Sequence, residues 1–302
     1  MMSLCITLDT KQKISKTNLH QDNTKPIRIM SNDFTRIEVC IKPKEPHLFT
    51  DLLTDIWVLT RRSLLHIIKN IDQILGLTIQ PIMFMLLFYF VFSGAIEVGD
   101  VDYLSFLLPG ILVQSLAFGS LYTSLSVATD LQRGITDRLK SLPINSTASI
   151  TGHVLADLVR NLIQGIILLF TSFFLGFNPS AGVKEWLIII ALSAVFTFAI
   201  SWLSAIMGLA AKTIESVNWL GFIVIFPLTF ASAAFVPTET MPFGLRQFAQ
   251  NQPVTHIIEA IRALLLGMET GNHIKMSLIW SLIIIAISVP IATILFKQHG
   301  RN

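Results

Sequence analysis

Long uncharged apolar runs separated by short polar connectors dominate the chain from residue 76 onwards. A helix needs about 20 mainly apolar residues to cross ~30 Å of hydrocarbon. Six runs reach that length: Gly76 to about Gly94, Tyr103 to about Thr129, about Val154 to Phe177, Trp186 to Ala211, Ser216 to Val236, and about Met276 to Phe296. Pro81 predicts a kink near the start of the first. Asp157 and Arg160 open the third, where they can reach the headgroup level by snorkelling.

Ahead of these runs the pattern is amphipathic rather than apolar. From His47 to Ile71, the residues Phe49, Leu52, Leu53, Ile56, Trp57, Leu64, Ile67, Ile68 and Ile71 recur at helical steps, with Asp51, Asp55, Arg61, Arg62 and Lys69 between them. One apolar and one basic face suit the plane of the membrane interface; a soluble helix on a partner would carry the same pattern. Residues 1–46 are polar and predict a disordered cytosolic tail. Cys5 and Cys40 lie there as free thiols, without metal-ligand spacing. The tail lacks the apolar core of a secretory signal, so the first span serves as the insertion signal.

Between the fifth and sixth spans lies a long segment punctuated by Pro237, Pro242 and Pro253. Its apolar run Val254–Leu266, with His256, Glu259 and Arg262, is too short to cross a bilayer. A re-entrant hairpin shielded from lipid accounts for it, and a helix lying on the outer interface is the alternative. The expected fold is therefore all-α: a polytopic membrane protein with six transmembrane helices, an amino-terminal interfacial helix over 47–71 and a re-entrant outer hairpin before the last span, all within one membrane domain over 47–302.

Composition agrees. Hydrophobic residues make up 52% and charged residues 14% of the chain, against roughly 25% charged in soluble domains. A net charge of +3 is too weak to suggest nucleic acid. Basic residues instead set orientation. Eleven of the 22 Lys and Arg precede the first span. The connector Ala95–Asp102 has none, and the next one is basic, with Arg133, Arg138, Lys140 and Arg160. The pattern predicts a multi-pass protein of the plasma (inner) membrane with both termini cytosolic.

The central parts of the predicted spans contain no ionisable residue. Such a residue generally marks an ion or proton pathway, so its absence argues against an ion-driven carrier and an intramembrane protease. His256-Ile-Ile-Glu259 is not a His-Glu-x-x-His zinc motif. No phosphate-loop sequence occurs either, so energy for uphill movement would come from a separate ATPase. A passive pore or scaffold would lack the same groups. Ser193, Thr197 and Ser201, continued by Ala205 and Gly208, form a small-residue stripe suited to close helix packing. Phe222, Phe226 and Phe230 form a second stripe, facing lipid or a second subunit, or lining a path for an amphipathic substrate. Gln114, Asn161 and Gln164 are expected to hydrogen-bond between helices, Gln114 also being a candidate for that path.

The cytosolic connector Thr129-Asp-Leu-Gln-Arg-Gly-Ile-Thr-Asp-Arg-Leu-Lys-Ser-Leu-Pro143 bends at Gly134 and carries a short charged helix. By pattern alone it is either a solvated loop or a helix that takes a push from a soluble partner. In Thr129-Asp130, Arg133-Gly134, Asp137-Arg138 and Ser141-Leu142-Pro143, the chain resembles ABC type-2 permeases, especially the daunorubicin-resistance membrane-subunit group. Gly152, Ala156-Asp157, Arg160-Asn161 and Gly176-Phe177-Asn178-Pro179 extend the resemblance. Further on it includes Phe235-Val236-Pro237, Met241-Pro242, Asn251-Gln252-Pro253-Val254-Thr255-His256 and Arg262-Ala263-Leu264-Leu265-Leu266-Gly267. It covers about Leu48 to Phe296 and leaves out the tail.

The resemblance implies a coupling helix that docks on an ATP-binding cassette subunit, carried here by Asp130, Gln132, Arg133, Gly134, Asp137, Arg138, Leu139 and Pro143. Gln132 stands where the family usually has Glu, which removes a carboxylate from that contact. The resemblance also implies outer half-helices that close the exit, carried by Pro237, Pro242, Pro253, His256, Glu259 and Arg262. It implies a dimer of permeases with two ATPase subunits, ATP and magnesium binding to the latter and no cofactor to this chain. The expected function is export of an amphipathic, drug-like or lipid-like molecule. Polysaccharide or lipid export on the same plan, and a non-transporting membrane anchor for an ATPase, are the alternatives.

Overall fold

The computed structural model describes residues 5–9, 36–40, 48–69, 71–94, 102–136 and 146–298. It divides into an amino-terminal unit, Met1–Asp51, and a larger unit, Leu52–Asn302. In the first, β1 (Cys5–Asp9) pairs antiparallel with β2 (Arg36–Cys40), Ile6 opposite Val39 and Leu8 opposite Ile37. The stretch read as a disordered tail therefore contains a short ladder, built where β-branched residues alternate with polar ones.

The larger unit is helical: α1 (Leu48–Lys69), α2 (Ile71–Phe92), α3 (Tyr103–Gly119), α4 (Leu121–Gln132), α5 (Ser146–Phe174), α6 (Val183–Ala210), α7 (Ile214–Phe230), α8 (Phe243–Asn251), α9 (Pro253–Leu266) and α10 (His273–Gln298). Four stretches are long and apolar enough to cross a membrane: Tyr103–Gln132, Ala148–Phe174, Val183–Ala210 and His273–Gln298. Shorter apolar helices cover Thr78–Phe92 and Ile214–Phe230. The chain is a polytopic α-helical membrane protein.

α6 is the spine. It packs on α4, α5 and α10, and its small-residue stripe makes that possible. Ser193, Thr197, Ser201 and Ala205 are all buried, and a Cβ on Gly208 would fall on the Ser124 carbonyl oxygen of α4. A branched side chain cannot fit where backbones meet this closely. Gly208→Val is expected to lower stability by about 1–3 kcal/mol or more, the usual cost of overpacking, read as a lower thermal unfolding midpoint in detergent. The hydrophobic core beside this seam gathers Leu107, Ile111 and Leu116 of α3, Phe196 and Ile200 of α6, and Ile257, Ile258 and Ile261 of α9. Outward, α2, α5, α7 and α10 expose Met83, Phe90, Ile166, Phe170, Trp219, Ile223, Leu282 and Ile287. That apolar exterior is the one a helical bundle presents to lipid or to another membrane subunit.

Four boundaries differ from the sequence reading: α2 starts at Ile71 rather than Gly76, and α7 ends at Phe230 rather than Val236, where residues 231–236 turn into α9's contacts; the other two lie in α3–α4 and α5. The run Tyr103 to about Thr129 is interrupted at Ser120, which separates α3 from α4. α5 starts at Ser146 rather than near Val154. Its first two turns are built from Ser, Thr, Gly and His, whose low hydropathy hides them from an apolar-run reading, yet Ala148 and Ile150 are buried.

Candidate functional site

α4 ends where Arg133 caps it through its backbone N–H to the Thr129 carbonyl (3.0 Å), and Gly134 then takes a left-handed φ of 65°. Glycine carries no Cβ penalty there, so it terminates the helix and redirects the chain. One turn earlier, Asp130 joins three helices. Its Oδ2 lies 3.1 Å from His153 Nε2 of α5, and its Oδ1 lies 3.6 Å from Arg62 Nη2 of α1. The other ring nitrogen of His153 is 3.3 Å from Ser63 Oγ of α1. Arg62 is half-exposed, so its ion pair contributes little, about 0–1 kcal/mol. The value of the arrangement is positional: the last turn of α4 is tethered to the helix that precedes the first span. These residues line a cavity of about 250 Å³ together with Tyr122, Arg133 and Arg160.

Deeper in the bundle lies a buried charged network. Asp157 and Arg160 sit near the middle of α5, only 2% and 8% exposed, and form an ion pair. Arg160 Nη2 donates to the Gly119 carbonyl oxygen (2.7 Å), and its guanidinium lies 4.5 Å from the Tyr122 ring centroid. Ser201 Oγ of α6 donates to Asp157 Oδ2 (2.6 Å), and Asn161 Nδ2 donates to the same oxygen (3.3 Å). Ser120 Oγ lies 3.3 Å from Ser201 Oγ and 3.5 Å from Asn161 Nδ2. The network explains the break between α3 and α4. Arg160 occupies the Gly119 carbonyl that a continuous helix would offer to the Thr123 N–H, and that N–H bonds the Ser120 carbonyl instead (3.1 Å). A Cβ on Gly119 would collide with Asn161 Oδ1.

This corrects two expectations. Asp157 and Arg160 do not snorkel from a helix end, because α5 extends eight residues further back than its apolar run. Nor is the long apolar helix Ala148–Phe174 free of ionisable groups near its middle, although the pair there is internally neutralised. The opposite charges cancel within the network, and additional hydrogen bonds satisfy part of it, which is how a bundle tolerates such a pair.

A second cavity, of about 320 Å³, runs between α2, α3, α4 and α7. Gln114, Phe222, Phe226 and Phe230 all line it, with Phe84, Phe118, Tyr122 and Asn218. The three α7 phenylalanines are stacked, with ring centroids 4.7 Å and 4.2 Å apart. The stack continues through Phe235 (5.1 Å) to Phe88 of α2 (4.4 Å). Phe222 and Phe226 are 47% and 36% exposed, so the cavity is open towards the outside of the subunit.

At the other end, residues 237–266 fold into a 3₁₀ turn and two helices. Pro242 precedes α8, and Pro253 occupies the first turn of α9, where its missing N–H costs nothing. α8 is amphipathic and exposes Phe243, Leu245 and Phe248. α9 is nearly all buried and packs on α3, α6 and α10, so it does not lie on a surface. Arg262 fastens it. Its Nε and Nη2 donate to the Phe106 carbonyl (3.2 and 3.0 Å), Nη2 also donates to the Ala233 carbonyl (2.7 Å), and Nη1 bonds Glu259 Oε1 (2.6 Å). The guanidinium stacks 3.7 Å from the Phe106 ring centroid. Burial lowers its pKa from the ordinary arginine value, and Glu259 opposes that shift. Gln252 Nε2 donates to the Ala231 carbonyl (2.5 Å), and Thr255 Oγ1 accepts from the Ala233 N–H (3.2 Å). The irregular backbone after α7 is thereby satisfied from α9.

Residues 54–266 match the family described as ABC-2 type transporter. The chain belongs to that family. Among curated relatives of this ABC-2 chain is the "Daunorubicin resistance ABC transporter permease protein DrrB1" of Streptomyces coeruleorubidus, 30% identical over 230 residues, covering 76% of the chain and 81% of the relative. The "Probable doxorubicin resistance ABC transporter permease protein DrrC" of Mycobacterium tuberculosis is 26% identical, covering 77% and 85%. The "Inner membrane transport permease YadH" of Escherichia coli is 26% identical, covering 74% and 86%. An ABC-2 permease is the transmembrane subunit of its transporter, and family membership implies an ATP-binding subunit as partner.

Within the matched region, the structure brings Gln114, Phe222, Phe226 and Phe230 to one cavity, and Glu259 and Arg262 to one ion pair. His256 faces His273 of α10 instead. Pro237 precedes the 3₁₀ turn Thr238–Thr240. Asp130, Gln132, Arg133 and Gly134 cluster at the end of α4, while Asp137, Arg138, Leu139 and Pro143 lie outside the described residues. Sequence reasoning missed the partners of Asp130, namely Arg62 and His153, because they come from helices 68 and 23 positions away. It also placed Asp157 and Arg160 wrongly, although their i,i+3 spacing beside Asn161 and Gln164 on one helix face was a legible sign of an interior pair.

Proposed function

We propose that this permease is one of two membrane subunits of an ATP-driven exporter that moves an amphipathic, drug-like or lipid-like molecule out of the cytosol or inner leaflet. The observation that carries the reading is the cavity of about 320 Å³ lined by the stacked Phe222, Phe226 and Phe230 and by Gln114. Aromatic rings interspersed with aliphatic side chains and the amides of Gln80, Gln114, Gln164 and Asn218 suit a flat apolar body bearing polar substituents. The daunorubicin and doxorubicin resistance named for two relatives belongs to the same chemical class.

Four long and two shorter apolar helices support six spans, the alternation of basic connectors supports cytosolic termini, and the name of the Escherichia coli relative supports the inner membrane. The Gly134 end of α4 and the following segment to Pro143 take the push of the ATPase, which holds ATP and magnesium. Asp130 passes that push to α1 and α5. The exposed face of α7, where the cavity opens, meets a second copy, and the buried hairpin around α9 closes the exit.

The test is doxorubicin uptake into inverted vesicles carrying the permease and its ATPase subunit. ATP-dependent uptake is expected, with Phe226→Ala cutting it at least about fivefold, the loss of roughly 1 kcal/mol of aromatic contact. ATP-driven movement of lipid alone, with no drug flux, would reassign the substrate. Flux driven by an ion gradient without nucleotide would refute the exporter reading.

A further inference from the structure

Two histidines converge between α9 and α10. His256 Nδ1 lies 3.3 Å from His273 Nδ1, with ring centroids 5.5 Å apart and planes inclined at 44°. The turn that brings them together is built by glycine: Gly267 ends α9 at φ 68°, and Gly271, at φ 50°, leads into α10. Both rings are partly accessible. Among the described residues neither ring nitrogen has another hydrogen-bond partner. Glu259, one turn from His256, is engaged by Arg262.

Two neutral imidazoles that present the same nitrogen to each other are repelled by their lone pairs unless something lies between them. A proton on one ring is one solution. A metal ion is the other, and the spacing suits it. Bonds of 2.0–2.1 Å at a tetrahedral angle hold two imidazole nitrogens about 3.3–3.4 Å apart. Burial, and then the neighbouring His273, lower the pKa of His256, which keeps its ring neutral and able to bind a metal at neutral pH.

We propose that His256 and His273 form a two-histidine site for a borderline divalent transition-metal ion of the Zn²⁺ or Cu²⁺ class, which clamps α9 to α10. Water completes the coordination, and Mg²⁺ or Ca²⁺, which prefer oxygen, are not ligands for it. An ion held there bridges the helix fastened by Arg262 to the last long apolar helix, so occupancy would restrain any movement of α9.

The experiment uses the full chain without a polyhistidine tag, in detergent at pH 7.4, with Zn²⁺ titrated by calorimetry and Cu²⁺ as a spectroscopic probe. One ion per chain is expected, and the Cu²⁺ spectrum is expected to show coupling to two nitrogens. His256→Gln and His273→Gln should each weaken Zn²⁺ binding at least tenfold, since even partners outside the first coordination shell are worth about 10–100-fold. Excess chelator should strip the ion and restore the metal-free, Cu²⁺-silent state. An absence of binding by the unaltered chain, a Cu²⁺ spectrum without two nitrogens, or equal binding by both variants would overturn the site and leave the pair an N–H···N hydrogen bond only. The unaltered chain is decisive by itself, so the test holds even if a variant fails to fold.

Discussion

Arg160→Ala is expected to destabilise the protein by about 3–5 kcal/mol, the range for stripping one partner from a buried ion pair. The loss has two parts. Asp157, 2% exposed, is left charged with only Ser201 and Asn161 to bond it, and the Gly119 carbonyl loses its donor at the break between α3 and α4. Thermal unfolding in detergent reads the effect. A paired replacement, Asp157→Leu with Arg160→Met, should cost less than Arg160→Ala alone, because it removes both charges rather than orphaning one. If the single and paired variants unfold at the temperature of the unaltered protein, the buried network is not what holds these helices.

The second large effect is expected at Arg262. Arg262→Ala leaves the carbonyls of Phe106 and Ala233 buried without that donor and releases Glu259. Each orphaned acceptor costs about 1–3 kcal/mol, so a total of about 2–6 kcal/mol is expected for the two. Arg262→Lys should recover less than half of it, because an ammonium cannot reproduce a planar fork aimed at two carbonyls and a carboxylate while stacked on Phe106. Limited proteolysis at 231–242 should rise in parallel with the loss of thermal stability, since that backbone is satisfied from α9. An alanine variant with unchanged melting and unchanged cleavage would show that α9 is fastened by its apolar face alone.

Much of the bundle was legible in the apolar pattern. Val183–Ala210 and His273–Gln298 emerge within three residues of their predicted limits, because continuous hydrophobic runs leave few choices in lipid. The i,i+4 phenylalanines of α7 and the short run Val254–Leu266 were equally readable, since both are local periodicities. What the pattern could not disclose is long-range. The break after Gly119 follows a guanidinium 41 positions away on its carbonyl, and the polar start of α5 is covered at Gly152 by Leu59 of α1. Likewise, Arg262 was visible as a charge in an apolar run, but the carbonyls it serves belong to Phe106 and Ala233, 156 and 29 positions distant.

The interruption at Ser120 has a mechanical consequence. An unbroken helix moves as a rod, whereas one whose ladder is opened at a single turn has two lengths that can tilt separately. The α3 length is enclosed by the core along nearly all its residues, while the α4 length is more open and ends in Asp130 and Gly134. The point where the two lengths meet is pinned by Arg160 on the Gly119 carbonyl. Any tilt of the α4 length about Ser120 would move the wall that Leu121, Tyr122 and Leu125 contribute to the aromatic cavity.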